Sequence, residues 1–378
     1  MTIALAHGGV TMYASDAPSR DLMVGTMQGI QFLHHDGRGH WFDDGRALEG
    51  HHVHAFVYEP KSAQWFVGVY KKGIFASRDD GRSWEPRNTG LTEESVFSLA
   101  AVELPGGVVR LYAGTEPAHL FFSDDLGNHW TELPDLLSAP SRPTWRFVAE
   151  PFAAHLKHIN VAPGEPVTVF ASVEVGGLHR SRDGGRTFQE LTVPHLDVHR
   201  TVIDPRNPNH LYISGGAGLF QSMDSGDTWE EILPRDSHIG SYPDLFVYAP
   251  SNPDLMFHSS SRHGPRSWIE ERLPAGGQIA RTRDGGQTWE ACMQGLPSDR
   301  FHGSIEAMSL EECGETISLF VADTDGYVSW SADGGDSWQI IAQTAPVTKS
   351  VHVEMMQGGG PTPLRFGDGT TLINGVQV

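Results

Sequence analysis

Six times along the chain the pattern Ser/Thr-x-Asp-x-Gly-x-x-Trp/Phe recurs: Ser77 to Trp84, Ser123 to Trp130, Ser181 to Phe188, Ser222 to Trp229, Thr282 to Trp289 and Ser331 to Trp338. A degenerate seventh copy, His34 to Trp41, keeps Asp36 and Trp41 but has Arg38 where glycine belongs. The copies return roughly every 50 residues, a period that gives each one a supersecondary unit of its own. The pattern has the chemistry of a hairpin turn. The aspartate accepts hydrogen bonds from nearby backbone N–H groups, and the glycine supplies a positive φ.

A β-rich run precedes each copy, as in Trp65 to Ala76 or His210 to Gln221, and a further short strand follows it. About four short strands per repeat, taken seven times, predict an all-β fold: a single seven-bladed β-propeller over residues 1–356 with a Gly-rich C-terminal extension over 357–378. The extension contains one hairpin candidate, Arg365 to Gly375, and is a candidate for self-association into a homo-oligomer.

The repeat resembles the Asp-box, or BNR, repeat of sialidases, sortilin-type receptors, xyloglucan hydrolases and photosystem II assembly factors. The resemblance runs over roughly residues 9 to 343 and implies the propeller fold. No one member is matched. The Phe/Tyr-Arg-Ile-Pro signature of sialidases is absent, and no arginine triad stands out. Xyloglucan hydrolases use two such propellers where this chain has room for one. The assembly factors depend on an arginine patch where this chain has histidines.

The propeller fold implies that the first strand of each blade lines a central channel. A following proline aligns these strands: His54 to Pro60, His199 to Pro205 and Asp244 to Pro250 begin six residues before proline, and His158 to Pro163 is one shorter. Extending the alignment gives one tier at the channel mouth: His54, Phe97, His158, His199, Asp244, His302 and His352. Gly8 to Asp16 and Ser350 to Met356 compete for the inner strand that closes the ring. Twenty histidines occur in the chain, and five converge on this tier. Imidazoles with a carboxylate suit a divalent transition metal, with Zn, Fe, Mn, Ni and Cu all compatible. His158, His199 and His302 are the first choice of ligands, His54 and His352 the next, with Asp244 as ligand or orienting partner.

Glu354, two residues along its strand from His352, is a candidate ligand or general base. Loops between second and third strands add Lys71, Lys72, Glu116, His119, Glu174, Asp323 and Asp325, of which Glu174, in a short tight loop, is the best catalytic candidate. Two insertions, Ser138 to His158 and Ser259 to Gln278, lengthen the intervals between boxes. Each carries Trp with Arg: Trp145 with Arg142 and Arg146, and Trp268 with Arg262 and Arg266. These are expected to wall a pocket, Arg262 serving an anionic substrate.

The expected function is therefore a metal-dependent hydrolase or lyase, or an oxygenase, acting on a small anionic or oxygen-rich substrate. Seven-bladed oligogalacturonide lyases offer a parallel at the level of fold. The alternatives are a metal-free glycosidase pairing Glu174 with Asp323 or Asp325, and a non-enzymatic interaction scaffold. A net charge of −20, from 47 acidic and 27 basic residues, disfavours nucleic acid and anionic membrane as partners. No apolar run approaches the ~18 residues of a membrane span. The N-terminus has no signal-peptide pattern, and two cysteines, Cys292 and Cys313, make no disulfide framework, so the expected compartment is the cytoplasm.

Overall fold

The computed structural model describes residues 1–147, 151–164, 166–237, 239, 241–264, 267, 273–296, 303–348, 364–365, 371–373 and 376–377. The fold is all-β, a seven-bladed β-propeller, with short 3-10 turns at Pro134–Ser138 and Arg142–Thr144. Blade two is representative. Its strands Val53–Glu59, Gln64–Val69, Gly73–Ser77 and Glu85–Pro86 pair antiparallel in chain order, with the Asp box between the third and the fourth. The inner strands of the other antiparallel blades are Val96–Glu103, Leu156–Ala162, Val198–Ile203, Tyr242–Ala249 and Ile305–Cys313.

The chain gathers into two compact units. One holds residues 1–7, 11–52 and 232–378, and with them blades one, six and seven. The other holds residues 8–10 and 53–231, and with them blades two to four and most of blade five.

The boxes form one hydrogen-bonded device. Ser77 Oγ donates to Asp79 Oδ1 at 2.8 Å and accepts the Gly81 N–H at 2.9 Å. Asp79 also accepts the Ser83 N–H at 2.8 Å and the Ser83 hydroxyl at 2.6 Å. The same bonds recur at Asp183, Asp224, Asp284 and Asp333. Gly81 sits at φ +82° and Gly226 at +95°, the left-handed region where a side chain is strained. In the degenerate copy Asp36 still accepts the Arg38 and His40 N–H groups, and Gly37 and Gly39 take the positive φ values in place of position 38.

Strands buried on both faces read as continuous apolar runs, and the core lies between neighbouring blades. Phe66 and Ile74 of blade two pack with Leu111, Phe121 and Trp130 of blade three. Trp130, the last box residue of blade three, is 1% exposed and donates its indole N–H to the Arg87 carbonyl at 2.8 Å. Trp338 of blade seven does the same to the Cys292 carbonyl of blade six. These two box tryptophans thus tie their own turns to the blade before.

The N-terminal segment corrects one expectation. Gly8 to Asp16 is not the inner strand of blade one. That strand is Thr2–Leu5, parallel to Asp21–Thr26. Gly8–Gly9 adds in parallel to blade two, and Met12–Ala14 adds in parallel to blade seven. The competing segment Ser350 to Met356 lies outside the described residues. In the C-terminal stretch, Leu364–Arg365 pairs with Thr371–Ile373, which pairs with Val376–Gln377.

Candidate functional site

The inner strands share a β-bulge near their first residues. Val53 pairs with Val69 and Ala55 with Gly68, which leaves His54 as the extra residue. The same count leaves Phe97, Lys157, His199 and Glu306 on their strands. Blade six has its irregularity between Pro243 and Phe246, a stretch that contains Asp244. A bulge re-aims the inserted side chain and breaks the two-residue alternation behind it. The equivalent residue in blade four is therefore Lys157, not the expected His158. His158 falls on the other phase, where its Nδ1 accepts the Thr201 N–H at 3.4 Å. In blade seven the bulge position belongs to Glu306 and not to His302. His302, His352 and Glu354 lie outside the described residues.

The unit of blades two to five contains a buried array of titratable groups centred on Glu174. Its Oε2 lies 2.5 Å from His155 Nε2, and its Oε1 lies 3.2 Å from Lys157 Nζ and 3.9 Å from His199 Nε2. His199 Nε2 is in turn 3.3 Å from Asp197 Oδ2, and His155 Nδ1 is 3.7 Å from Glu116 Oε2. His155, Lys157, Glu174 and His199 are all under 7% exposed. Two rules of strand geometry assemble the array. His155 and Asp197 stand two residues before the bulge residues Lys157 and His199. Glu116 and Glu174 each follow the last residue of a second strand, held by N–H bonds to the Ser95 and His155 carbonyls.

Burial pushes the Glu174 carboxyl up. The Lys157 ammonium, then His155 and His199, outweigh this and hold it well below the usual carboxylate range. Aromatic packing fixes the imidazoles. Phe97 lies between His54 and His155, with ring centroids 4.1 and 4.3 Å away. Phe147, from the first insertion, meets His155 edge-on at 4.9 Å. That insertion is anchored by Trp145, which is 7% exposed and donates to Ser141 Oγ at 2.8 Å, with the Arg142 guanidinium 5.2 Å from its ring.

Glu174 Oε1, His199 Nε2 and Asp197 Oδ2 have the spacing of a metal's donor set. Neighbouring donors bonded at ~2.1 Å to a tetrahedral or octahedral ion stand roughly 3–3.5 Å apart, so the Asp197–His199 pair fits at 3.3 Å and the Glu174–His199 pair, at 3.9 Å, must close by a few tenths of an ångström. Sequence reasoning named Glu174 and His199 for this site and listed Glu116 among loop residues, but missed His155, Lys157 and Asp197. A strict count of six residues before Pro163 would have selected Lys157, and the i, i+2 rule along a strand would then have added His155 and Asp197.

The remaining candidates fall elsewhere. Asp244 is grouped with His7 and Glu306 in the other unit. His54 and His158 belong to neither group among the described residues. Arg262 is exposed, and its backbone bonds to Gly276 and Ser241. Asp323, the fully buried last residue of the strand Thr316–Asp323, accepts the Asp325 and Tyr327 N–H groups through Oδ1. Burial, then the nearby Asp325, raises its carboxyl well above the usual range. Trp268 and Arg266 of the second insertion lie outside the described residues.

No family model matches the chain. It is similar to a xyloglucanase of Paenibacillus sp, 27% identical over an alignment of 200 positions that covers 46% of this chain and 18% of that protein. It is also similar to the photosystem II assembly lipoprotein Ycf48 of Synechococcus sp. (strain CC9902), 22% identical over an alignment of 269 positions that covers 69% of this chain and 67% of that protein. Among solved structures, the GH74 enzyme of Niastella koreensis superposes with a TM-score of 0.59 at 16% identity, over 90% of this chain and 55% of that one. A YCF48 structure bound to a D1 peptide superposes with a TM-score of 0.52 at 13% identity, over 85% of this chain and 89% of that one. The chain thus spans under a fifth of the xyloglucanase and about half of the GH74 structure. It is an Asp-box β-propeller. At these identities the likeness is one of fold, so the function of this propeller is argued from its own side chains.

Proposed function

We propose that this propeller is a metal-dependent enzyme, a hydrolase or lyase, whose centre is the buried array around Glu174. One observation carries the reading: the His199 imidazole and the Glu174 and Asp197 carboxylates bring donor atoms within 4.8 Å of one another, with a second imidazole, His155, on the other oxygen of Glu174. Glu174, Asp197 and His199 hold a divalent first-row ion in this reading, which supplies Lewis acidity toward a substrate oxygen or a bound water. His155, clamped by Phe97 and Phe147 and hydrogen-bonded to Glu174, is placed as the general acid or base. Lys157 brings a cation to the same carboxylate and favours an anionic or oxygen-rich substrate. Arg146, exposed beside Phe147 on the first insertion, favours it too. A xyloglucanase among the relatives supports the hydrolytic branch. The two free thiols, Cys292 and Cys313, support a reducing compartment such as the cytoplasm.

The test is elemental analysis of the purified chain beside His199→Ala and Glu174→Gln, with thermal melts of all three. Stoichiometric first-row metal in the parent, lost from folded His199→Ala, supports the reading. Metal retained in full by His199→Ala removes it.

A second reading is a peptide-binding scaffold without catalysis. It is favoured by the YCF48 structure bound to a D1 peptide, of which the superposition covers 89%. A folded parent chain with no metal after supplementation selects this reading.

A further inference from the structure

We propose a second divalent-cation site, built by His7, Asp244 and Glu306 in the unit of blades one, six and seven. Each of the three residues is 5% exposed, and their donor atoms lie within 4.8 Å of one another. His7 Nδ1 is 3.3 Å from Glu306 Oε2 and 3.1 Å from the Glu306 carbonyl oxygen. An ion bonded at ~2.1 Å spans up to roughly 4.2 Å between opposite donors, so shifts of a few tenths of an ångström close this set on an ion.

Three independent pieces of backbone bring the donors together. Glu306 is the bulge residue of Ile305–Cys313, and Asp244 lies in the irregular stretch of Tyr242–Ala249. Both strands depart from regular pairing where they supply a carboxylate. His7 comes from the N-terminus, two residues beyond Thr2–Leu5, whose parallel pairing with Asp21–Val24 leaves it little freedom. One imidazole with two carboxylates is a mostly hard donor set, which suits Mn²⁺ or Zn²⁺ and disfavours a soft ion such as Cu⁺.

This site is separate in residues from the Glu174 array, so the two assignments fail separately. The experiment loads the full-length chain with Mn²⁺ or with Zn²⁺, dialyses it, and measures bound metal per chain. Glu306→Gln, Asp244→Asn and His199→Ala are treated alongside, and metal-induced shifts in the thermal midpoint are recorded. The expected result is two equivalents in the parent and one less in Glu306→Gln and in Asp244→Asn. Asp244→Asn is nearly isosteric, and its melt without metal shows that it is folded. One equivalent in the parent, lost from Asp244→Asn but kept by His199→Ala, upholds this site and removes the one at Glu174. Metal content that Glu306→Gln and Asp244→Asn leave unchanged overturns the proposal.

Discussion

Glu174 meets His155 at 2.5 Å through Oε2 and Lys157 at 3.2 Å through Oε1, so one buried carboxylate holds two partners from a single strand end. Glu174→Gln leaves the Lys157 ammonium, 5% exposed as a side chain, without this anion. Breaking a buried pair from one side costs about 3–5 kcal/mol. Urea denaturation at neutral pH is expected to show a loss of that size with an unchanged m-value. A loss under about 1 kcal/mol, the level of an exposed pair, would mean that solvent reaches the array.

His258 is fully buried, edge-on to Trp289 at 4.9 Å, and burial lowers its pKa to about 4. The unfolded chain takes up a proton near pH 6.5 and the folded chain does not, so stability falls as pH drops from about 6.5 toward 4. Linkage puts the loss between pH 7 and pH 5 at about 2 kcal/mol. His258→Asn does not titrate, and its stability is expected to fall less than the parent's over that interval by this amount. Parallel denaturation curves at the two pH values check it, and equal losses in parent and variant would refute the assignment.

Asp323 has the opposite sign. Burial and Asp325 raise its folded-state pKa, so its contribution is fully present below the unfolded carboxylate range and is lost as pH rises through the folded value. Asp323→Asn keeps a carbonyl oxygen for the Asp325 and Tyr327 N–H groups and removes the charge. The variant is expected to be more stable than the parent at pH 8, with the gap closing by pH 3. Thermal midpoints across that range measure it, and a variant less stable at pH 8 would contradict it.

Gly226 tests the box. At φ +95° an added Cβ would also meet Leu191 Cδ1 at 2.7 Å. Gly226→Val is expected to cost about 2 kcal/mol or more, read as a lower thermal midpoint, without changing bound metal. An unchanged midpoint would mean that the turn adapts.

The turns were legible because their chemistry is local. Ser77, Asp79 and Gly81 satisfy one another within five residues, so spacing in the sequence is spacing in space. The blade count followed from the repeat of that device, and the buried tryptophans from their place at the start of a strand.

The site was legible only in part, for a physical reason. Strand alternation passes from residue to face by a count of two, and one bulge reverses it. The bulge at Lys157 turns His158 toward Thr201 and brings Lys157 and His155 to Glu174. Nothing in the short run from His155 to Pro163 marks the bulge except its distance to that proline.

Sequence by itself determined the turns, the blades and the inner-strand location of the ionisable residues, because hydrogen bonds within a turn and apolar runs within a strand need no distant partner. Tertiary structure alone decided which of those residues meet. His7 reaches Asp244 and Glu306 across more than two hundred residues of chain, and it does so because Thr2–Leu5 pairs in parallel with Asp21–Val24 inside blade one. That pairing belongs to the closure of a sheet, where backbone geometry and not residue type selects the neighbour.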